Sequence, residues 1–134
     1  MTISPEYQSL IDLANEVRKC AYAPYSNYPV GAALRTKSGR IFSGVNVENA
    51  AYPTTMCAER IAIFKAVSEG EREFDVIAVV TDNGGSPCGS CRQVLAEFGL
   101  DTVVLIADGN GKLLKAMTVN ELLPEAFTPK HLEK

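Results

Sequence analysis

The sequence lacks the features that would place the chain on a nucleic acid or in a membrane. Its 134 residues include 13 Lys and Arg against 16 Asp and Glu, which gives a formal net charge of −3. Clustered positive charge binds a phosphate backbone, and no basic run is present here. Apolar stretches of about 18 residues, which a membrane-spanning helix requires, are also missing. We therefore expect neither a nucleic-acid partner nor membrane association.

Histidine is scarce, so cysteine is the residue to examine for metal binding. Tryptophan is also missing. The chain has one His, no Trp and four Cys. Its first residues, Met1 to Pro5, are not a charged region followed by an apolar one, and we expect a cytoplasmic location. In a reducing compartment, four cysteines favour metal or redox chemistry over a disulfide framework.

The remaining composition suits one folded domain over residues 1–134. Apolar residues make up 46%, enough to form a core at this length, and no repeat or linker interrupts the chain. Ser4-Pro5 predicts the start of a first helix, whose apolar residues recur at helical spacing as far as Ala21. Two β-type runs over 30–34 and 41–47 flank a Lys-Ser-Gly turn and predict a hairpin.

The second half of the chain predicts alternating helices and strands. A helix capped by Thr54 or Thr55 and ending before Gly70 is apolar on most sides, so we expect it to be buried on more than one face. Continuous apolar runs over 74–80 and 102–107 enclose a third helix, which predicts a parallel pair of strands with a right-handed crossover. The last elements are a strand over 112–117 and a short helix over 119–123. Together these elements predict a small α/β sandwich with a mixed sheet.

Three of the cysteines lie where helices are predicted to begin. Cys88 and Cys91 are two residues apart, which lets one turn of backbone direct both sulfurs at a single ion, and Cys57 can supply a third. Three protein ligands leave the fourth tetrahedral position open for water, as in catalytic zinc sites, and thiolates favour zinc over magnesium or calcium. The Cys-x-x-Cys pair alone also fits a thioredoxin-like redox couple. The placement of Cys57 favours the metal.

The other cysteine and the histidine have simpler interpretations. Cys20 follows Leu13 and Val17 beside the apolar stripe of the first helix, and we predict a buried core thiol. His131 stands among polar residues near the C-terminus. We predict that its imidazole is solvated and binds no metal.

Glu59 and Arg60 follow Cys57 directly and suggest how the metal site would work. The helix dipole alone explains an acidic residue in a first turn. Next to a metal-bound water, a carboxylate can also accept and pass on the proton, provided that the metal lies off the helix end. Three thiolates around Zn²⁺ leave a charge of −1, and we hypothesise that Arg60 offsets it by hydrogen bonding to a ligand sulfur. A solvated surface arginine is the alternative.

The chain resembles the zinc deaminases and, more closely, the small homotetrameric cytidine deaminases of nucleoside salvage. The resemblance covers nearly the whole chain and rests on several ordered segments. These are Ala23-Pro24-Tyr25-Ser26, Pro29-Val30-Gly31-Ala32-Ala33-Leu34, Asn46-Val47-Glu48-Asn49-Ala50, Cys57-Ala58-Glu59-Arg60, Pro87-Cys88-Gly89-Ser90-Cys91-Arg92-Gln93 and Glu121-Leu122-Leu123-Pro124.

The resemblance implies a fold, a reaction and a cofactor. The fold is a three-layer α/β/α sandwich with a mixed five-stranded sheet. The reaction is hydrolytic deamination of cytidine and 2′-deoxycytidine to uridine and 2′-deoxyuridine, with release of ammonia. One Zn²⁺ per subunit would be held by Cys57, Cys88 and Cys91, and Glu59 would be the proton shuttle.

The resemblance also implies substrate contacts. Asn46 and Glu48 would hydrogen-bond the ribose 3′-hydroxyl, Tyr28 would place its ring against the pyrimidine, and the backbone at Ala58 and Ser86 would contact the polar edge of the base. A carboxylate and an amide can grip a hydroxyl, and a flat base favours an aromatic wall. Without the resemblance, Asn46 and Glu48 are simply polar residues that end a strand.

Two residues depart from the family pattern, and two more concern assembly. The family commonly has Phe at position 28 and His at position 27, where this chain has Tyr28 and Asn27. The added hydroxyl is expected to affect affinity and base preference but not the class of reaction. The resemblance further implies a homotetramer in which Tyr52 and Phe127 contribute to a neighbouring subunit's site.

Other functions remain open at this point. A related zinc deaminase can act on another aminated ring, such as the nucleoside antibiotic blasticidin S, although Asn46-Val47-Glu48 favours a ribose. A structural zinc module needs a fourth protein ligand, and a redox protein would not require stoichiometric zinc. An enzyme that edits DNA or RNA needs a basic channel, which this composition does not favour.

Overall fold

The computed structural model describes residues 3–133 and contains a mixed five-stranded sheet with helices on both faces. The strand order is β2-β1-β3-β4-β5, with β3 and β4 parallel and the other neighbouring pairs antiparallel. The elements are α1 (Pro5–Val17), β1 (Gly31–Thr36), β2 (Ile41–Val45), α2 (Ala58–Ser68), β3 (Phe74–Val80), α3 (Gly89–Phe98), β4 (Val103–Ala107), β5 (Leu113–Thr118) and α4 (Val119–Leu122). The α/β fold with a mixed five-stranded sheet is therefore confirmed.

Two separate apolar cores define the three layers. On one face of the sheet, α1 buries Leu10, Ile11 and Ala14 against alternate residues of β1, β3 and β4. On the other face, α2 and α3 pack against the intervening residues of the same strands. Because successive side chains of a strand point to opposite faces, β3 reads as a continuous apolar run and is buried on both sides.

The first helix begins where the sequence predicts and ends earlier. The Ser4 hydroxyl accepts a hydrogen bond from Tyr7 N at 3.2 Å, and Pro5 is the first helical residue. After Val17 the chain tightens into a 3₁₀ turn, Arg18–Cys20. A 3₁₀ turn has three residues per turn, so it carries Cys20 away from the apolar stripe of the helix. Cys20 is exposed, and its predicted place in the core is wrong.

The second helix begins at Ala58, and the prediction of a Thr54 or Thr55 cap is wrong. Val47 and Met56 exchange backbone hydrogen bonds at 3.0 Å, which keeps the residues before the helix extended. Cys57 therefore takes the N-cap position. The same bridge ends β2 at Val45, two residues before the predicted end.

The crossover from β3 through α3 to β4 brings two helix N-termini together. The loop after β3, residues 81–88, leads from the carboxyl end of the strand into α3, with Cys88 at its N-cap. Cys57 at the start of α2 lies beside it. Within 3–133, no helix combines the length and apolarity needed to cross a bilayer.

Candidate metal and substrate site

Three cysteine sulfurs converge at the paired helix starts. Cys57 Sγ lies 3.8 Å from Cys88 Sγ, Cys88 Sγ lies 3.5 Å from Cys91 Sγ, and all three lie within 4.8 Å of one another. Zn–S bonds of about 2.3 Å in a tetrahedron separate the sulfurs by about 3.8 Å. The sulfur spacing therefore fits zinc. Among the described residues, no fourth His, Cys, Asp or Glu joins this cluster.

The surroundings of Cys57 favour thiolate, the form of cysteine that binds metals. Cys57 and Cys88 are the N-caps of α2 and α3, so the positive ends of both helix dipoles face the sulfurs. The pKa of Cys57 falls to about 5, because Cys91 hydrogen-bonds its sulfur and Arg60 adds a second hydrogen bond and a positive charge. The pKa of Cys91 is raised instead, by its hydrogen bond to Cys57 and by burial.

Arg60 contacts a thiol rather than solvent alone. Its Nη2 donates to Cys57 Sγ at 3.2 Å. Its Nε is buried and has no hydrogen-bond partner among the described residues. Because Arg60 donates a hydrogen bond to Cys57 Sγ, its positive charge lies next to this sulfur and stabilises the thiolate form.

Glu59 is a buried carboxyl beside the thiols. It is the second residue of α2, with 4% of its surface exposed, and burial raises the pKa of its carboxyl above the usual range. Cys57 at the N-cap places the cluster off the end of the helix, which is the geometry that a carboxylate two residues away requires. A carboxyl with a raised pKa is suited to exchange protons near neutral pH.

A cavity of about 290 Å³ opens onto the cluster. Cys57, Cys88 and Glu59 line it, together with the residues expected to bind substrate. That second group consists of Tyr28, Asn46, Glu48, Ala58 and Ser86. None of the described residues that line the cavity is Lys, Arg or His.

Asn46 has a role in this wall that sequence reasoning missed. Its Oδ1 accepts from Val30 N and its Nδ2 donates to Tyr28 O, both at 2.9 Å. The side chain is 8% exposed and holds the backbone that carries Tyr28. A polar side chain at the end of a buried strand must find partners, which was the available signal. Each amide atom retains the capacity for one more hydrogen bond.

Glu48 is tied to the loop that precedes β1. Its Oε1 accepts from Tyr25 N at 3.0 Å and from Ser26 N at 3.1 Å, and its Oε2 accepts from Ser26 Oγ. These hydrogen bonds, led by the Ser26 hydroxyl, lower the pKa of the carboxyl. Because a carboxylate offers about four acceptor positions, Glu48 can still receive a hydroxyl of a ligand.

The two residues expected at a subunit boundary lie outside the cavity of their own chain. Tyr52 is 70% exposed and meets Tyr25 edge to face, with ring centroids 6.0 Å apart. Phe127 is 58% exposed and stacks on the ring of His131. The His131 imidazole is exposed, as predicted, and its Nδ1 accepts from Thr128 N at 3.0 Å.

Arg92 supports the loop of residues 81–88, which leads into Cys88, and sequence reasoning also missed this role. Its Nε donates to Pro87 O at 2.8 Å, its Nη2 to Ser86 Oγ at 3.1 Å and its Nη1 to Leu122 O at 2.7 Å. One guanidinium therefore joins the residues immediately before Cys88 to α4. Two of the partners lie in the loop before α3 and the third lies at the end of α4, 30 positions along the chain, so no local pattern indicates this role.

A larger polar groove, of about 510 Å³, lies on the other side of the sheet at the end of α1. An ion pair between Arg18 Nη1 and Asp82 Oδ1, at 2.6 Å, crosses it. It contains none of the clustered thiols. The smaller cavity is therefore the candidate for chemistry.

Comparisons with known proteins cover the same residues. The family described as "Cytidine and deoxycytidylate deaminase zinc-binding region" matches residues 4–107. A cytidine deaminase of Halalkalibacterium halodurans is 51% identical over 124 residues, covering 90% of this chain and 93% of that protein. A blasticidin-S deaminase of Bacillus cereus is 39% identical, covering 94% of this chain and 95% of that protein.

The fold agrees with a solved structure as well. The crystal structure of cytidine deaminase from Burkholderia pseudomallei matches with a TM-score of 0.85 and 45% sequence identity, covering 93% of this chain and 100% of that one. The family match includes all three clustered cysteines and every residue that lines the cavity.

Proposed function

We propose that this chain, which belongs to the cytidine deaminase family, deaminates cytidine and 2′-deoxycytidine to the corresponding uridines in pyrimidine nucleoside salvage. The reaction consumes one water and releases one ammonia. The observation that carries the proposal is a cluster of three thiols at zinc spacing beside a buried carboxylate, at the end of a cavity.

We propose one Zn²⁺ per subunit, bound by Cys57, Cys88 and Cys91. Bound zinc would act as a Lewis acid and lower the pKa of the attacking water. The sulfur distances and the lack of a fourth protein ligand among the described residues both support this assignment. Arg60 would reduce the excess negative charge of three thiolates through its contact with Cys57.

Glu59 is the residue that moves protons in this proposal. Its carboxylate takes a proton from the attacking water and delivers it to the ring N3 as the oxygen bonds to C4. It then takes the second proton of that water from the hydroxyl on C4 and transfers it to the amine. The amine leaves as ammonia when the C4–N bond breaks. Burial supports this role, because it raises the pKa of the carboxyl toward the range in which a group both accepts and donates.

A free nucleoside fits the cavity better than a nucleotide. The remaining hydrogen-bonding capacity of Asn46 and Glu48 suits a ribose hydroxyl, and Tyr28 offers a ring for the base. A 5′-phosphate would add negative charge, and no Lys, Arg or His is among the described residues lining the cavity to pair with it. We expect little turnover of deoxycytidylate.

Blasticidin S is the second candidate substrate. The relative from Bacillus cereus, named as a blasticidin-S deaminase, aligns over 94% of this chain. The higher identity to a cytidine deaminase, 51%, and the placement of Asn46 and Glu48 favour cytidine and 2′-deoxycytidine.

We further propose a homotetramer that works in the cytoplasm. Tyr52 and Phe127 are exposed aromatic residues of the kind that subunit contacts cover, and each would contribute to a neighbouring site. Three reduced thiols suit a reducing compartment.

Zinc content and turnover, measured on the wild-type protein and on Glu59→Gln, test the proposal. We expect about one zinc per subunit in both proteins, and loss of cytidine absorbance only with the wild type. Glu59→Gln should reduce kcat by at least about 100-fold, because it keeps the shape of the side chain but cannot exchange protons. The matched control is Glu97→Gln, which makes the same change on the exposed side of α3.

The substrate assignment is read in the same assay. Cytidine, 2′-deoxycytidine, deoxycytidylate and blasticidin S are compared with and without a chelator. A zinc-free active protein, a zinc-loaded protein inert toward both nucleosides, or near-normal turnover by zinc-loaded Glu59→Gln would contradict the proposal. If the protein prefers blasticidin S, that compound replaces cytidine and 2′-deoxycytidine as the proposed substrate.

A further inference from the structure

The hydroxyl of Tyr28, which lines the cavity, reaches the loop that follows β3. Its Oη donates to Asn83 Oδ1 at 2.7 Å, and the two residues are 55 positions apart in the chain. Phenylalanine, the residue that the resemblance led us to expect at this position, could not make the bond. The hydrogen bond therefore adds a connection between the aromatic wall and the loop of residues 81–86.

The same hydroxyl occupies a notch that only glycine leaves open. A Cβ on Gly85 would lie 2.4 Å from Tyr28 Oη, closer than such atoms approach in proteins. It would lie 3.6 Å from Tyr28 Cζ and 3.8 Å from Thr81 Oγ1, which are ordinary contacts. Gly85 does not have a positive φ, so its backbone accepts alanine. The hydroxyl is thus what excludes a side chain at position 85.

The loop that receives the hydroxyl is held from two other directions. Gly85 N donates to Thr81 Oγ1 at 2.8 Å, which closes the loop on itself. Asp82 pairs with Arg18 at 2.6 Å, which anchors the loop to the end of α1. Thr81 and Gly85 of this loop line the cavity, as Tyr28 does, so the loop forms part of the cavity wall.

We infer that Tyr28 Oη, Asn83 and Gly85 form a latch that sets the distance between the two walls of the substrate cavity. Tyr28 is then a positioning residue through its hydroxyl as well as a ring for stacking, and residues 28 and 85 are coupled: tyrosine at one requires glycine at the other. The inference concerns the substrate site and rests on the proposed function, but the coupling is a property of the fold and can be measured separately.

Two pairs of substitutions test the latch on the zinc-loaded protein with cytidine as substrate. Tyr28→Phe and Asn83→Ala should each raise KM about three- to ten-fold, the effect of one hydrogen bond, with a smaller change in kcat. The double variant should be no worse than either single variant, because both remove the same bond. Asn83→Asp keeps an acceptor and should remain closer to the wild type.

The notch gives the sharper test. Gly85→Ala should lower kcat/KM at least ten-fold and lower Tm, because the added methyl group meets the Tyr28 hydroxyl. Adding Tyr28→Phe to Gly85→Ala should restore both quantities to nearly the level of Tyr28→Phe alone. The matched control, Tyr7→Phe, removes a hydroxyl from α1 on the opposite face of the sheet and should not rescue Gly85→Ala.

Each outcome decides the inference. Three results would overturn it. Gly85→Ala could lower kcat/KM and Tm equally with and without Tyr28→Phe, or it could leave both quantities unchanged. The increases in KM caused by Tyr28→Phe and Asn83→Ala could also add up in the double variant. If Gly85→Ala alone does not fold, recovery of a folded protein by Tyr28→Phe supports the notch, and failure to recover it contradicts the notch. If the wild type deaminates none of the substrates, the proposed function fails, and the Tm values of the same variants still decide the coupling.

Discussion

Arg60 is the charged residue that contacts a proposed metal ligand. Its guanidinium hydrogen-bonds Cys57, and that contact helps to lower the pKa of the thiol. A thiolate binds zinc more tightly than a thiol at the same pH, because no proton has to be displaced. In the proposed zinc site, Arg60 would therefore support the metal through its ligand Cys57.

Replacing Arg60 with glutamine should weaken zinc binding. Arg60→Gln removes the charge and the hydrogen bond to Cys57, and we expect zinc affinity to fall about 10- to 100-fold, the usual effect of losing a residue that supports a metal ligand. Competition with a chromophoric chelator measures this. Arg72→Gln, a change at an exposed position after α2, is the control. Unchanged zinc affinity together with unchanged turnover would show that Arg60 has no such role.

Residue spacing along the chain predicted the three clustered cysteines but not the environment of Cys20. Cys57, Cys88 and Cys91 could be grouped from their spacing and helix-start positions, and the structure brings their sulfurs together. Cys20 could not be placed in the same way, because a 3₁₀ turn changes the period after Val17. Asn46 was visible as a polar residue, but its partners at Tyr28 and Val30 were not.

Among the elements, α4 depends most on a single local motif. It has four residues and follows β5 without a loop. Thr118 Oγ1 accepts from Glu121 N at 3.2 Å, and Glu121 Oε1 accepts from Thr118 N at 3.0 Å. This capping box supplies the hydrogen bonds that so short a helix cannot make internally. Arg92 then links the end of α4 to the loop of residues 81–88.

The capping box should make stability depend on pH in a defined direction. Hydrogen bonds from the backbone and side chain of Thr118 lower the pKa of Glu121. A lowered pKa in the folded state means that the carboxylate stabilises the fold above the usual pKa near 4.5, and that this contribution disappears as the pH falls through the lowered value. We expect Glu121→Gln to reduce Tm at pH 7, and the difference from the wild type to shrink as the pH falls through the lowered pKa of Glu121.

Thermal melts of the two proteins between pH 3 and pH 8 measure this dependence. Glu97→Gln, with its carboxyl on the exposed side of α3, serves again as the control and should not show it. A Tm difference between Glu121→Gln and the wild type that is constant across this range would contradict the capping role.

The elements of the fold were predicted more accurately than their ends. The span of β3 agrees residue for residue with its apolar run, and the parallel pairing of β3 with β4 is confirmed. The start of α2 was misplaced because Met56 pairs with Val47, a contact between segments that the hydrophobic pattern does not relate. That pairing matters for the site, since it leaves Cys57 at the helix N-cap.

For the whole molecule, exposed aromatic residues point to assembly. Tyr52 and Phe127 have 70% and 58% of their surface exposed, and neither lines the cavity of its own chain. Burying such residues between copies is favourable, and closed symmetry would repeat the contact in every subunit. This is the physical support for the proposed homotetramer.

Sedimentation velocity at micromolar concentration should give one species with the mass of four chains. Phe127→Ser should shift that species toward smaller assemblies and reduce turnover, because it removes an apolar contact from the interface. Leu132→Ser is the matched control, since Leu132 also lies near the C-terminus and is also exposed, at 70%. A wild-type monomer, or equal effects of the two substitutions, would contradict the assembly.

The sequence by itself determined the class of fold, the three candidate metal ligands and the carboxylate beside them. These features are local: helix starts, the period of apolar residues and short cysteine spacings are all set by neighbours along the chain. Only the tertiary structure decided that Cys20 is exposed, that Asn46 holds the backbone of Tyr28, and that the Tyr28 hydroxyl fits against Gly85. These outcomes depend on how the chain packs around each residue, and the last two join residues far apart in the chain. Such contacts exist only after the sheet has brought the loops together.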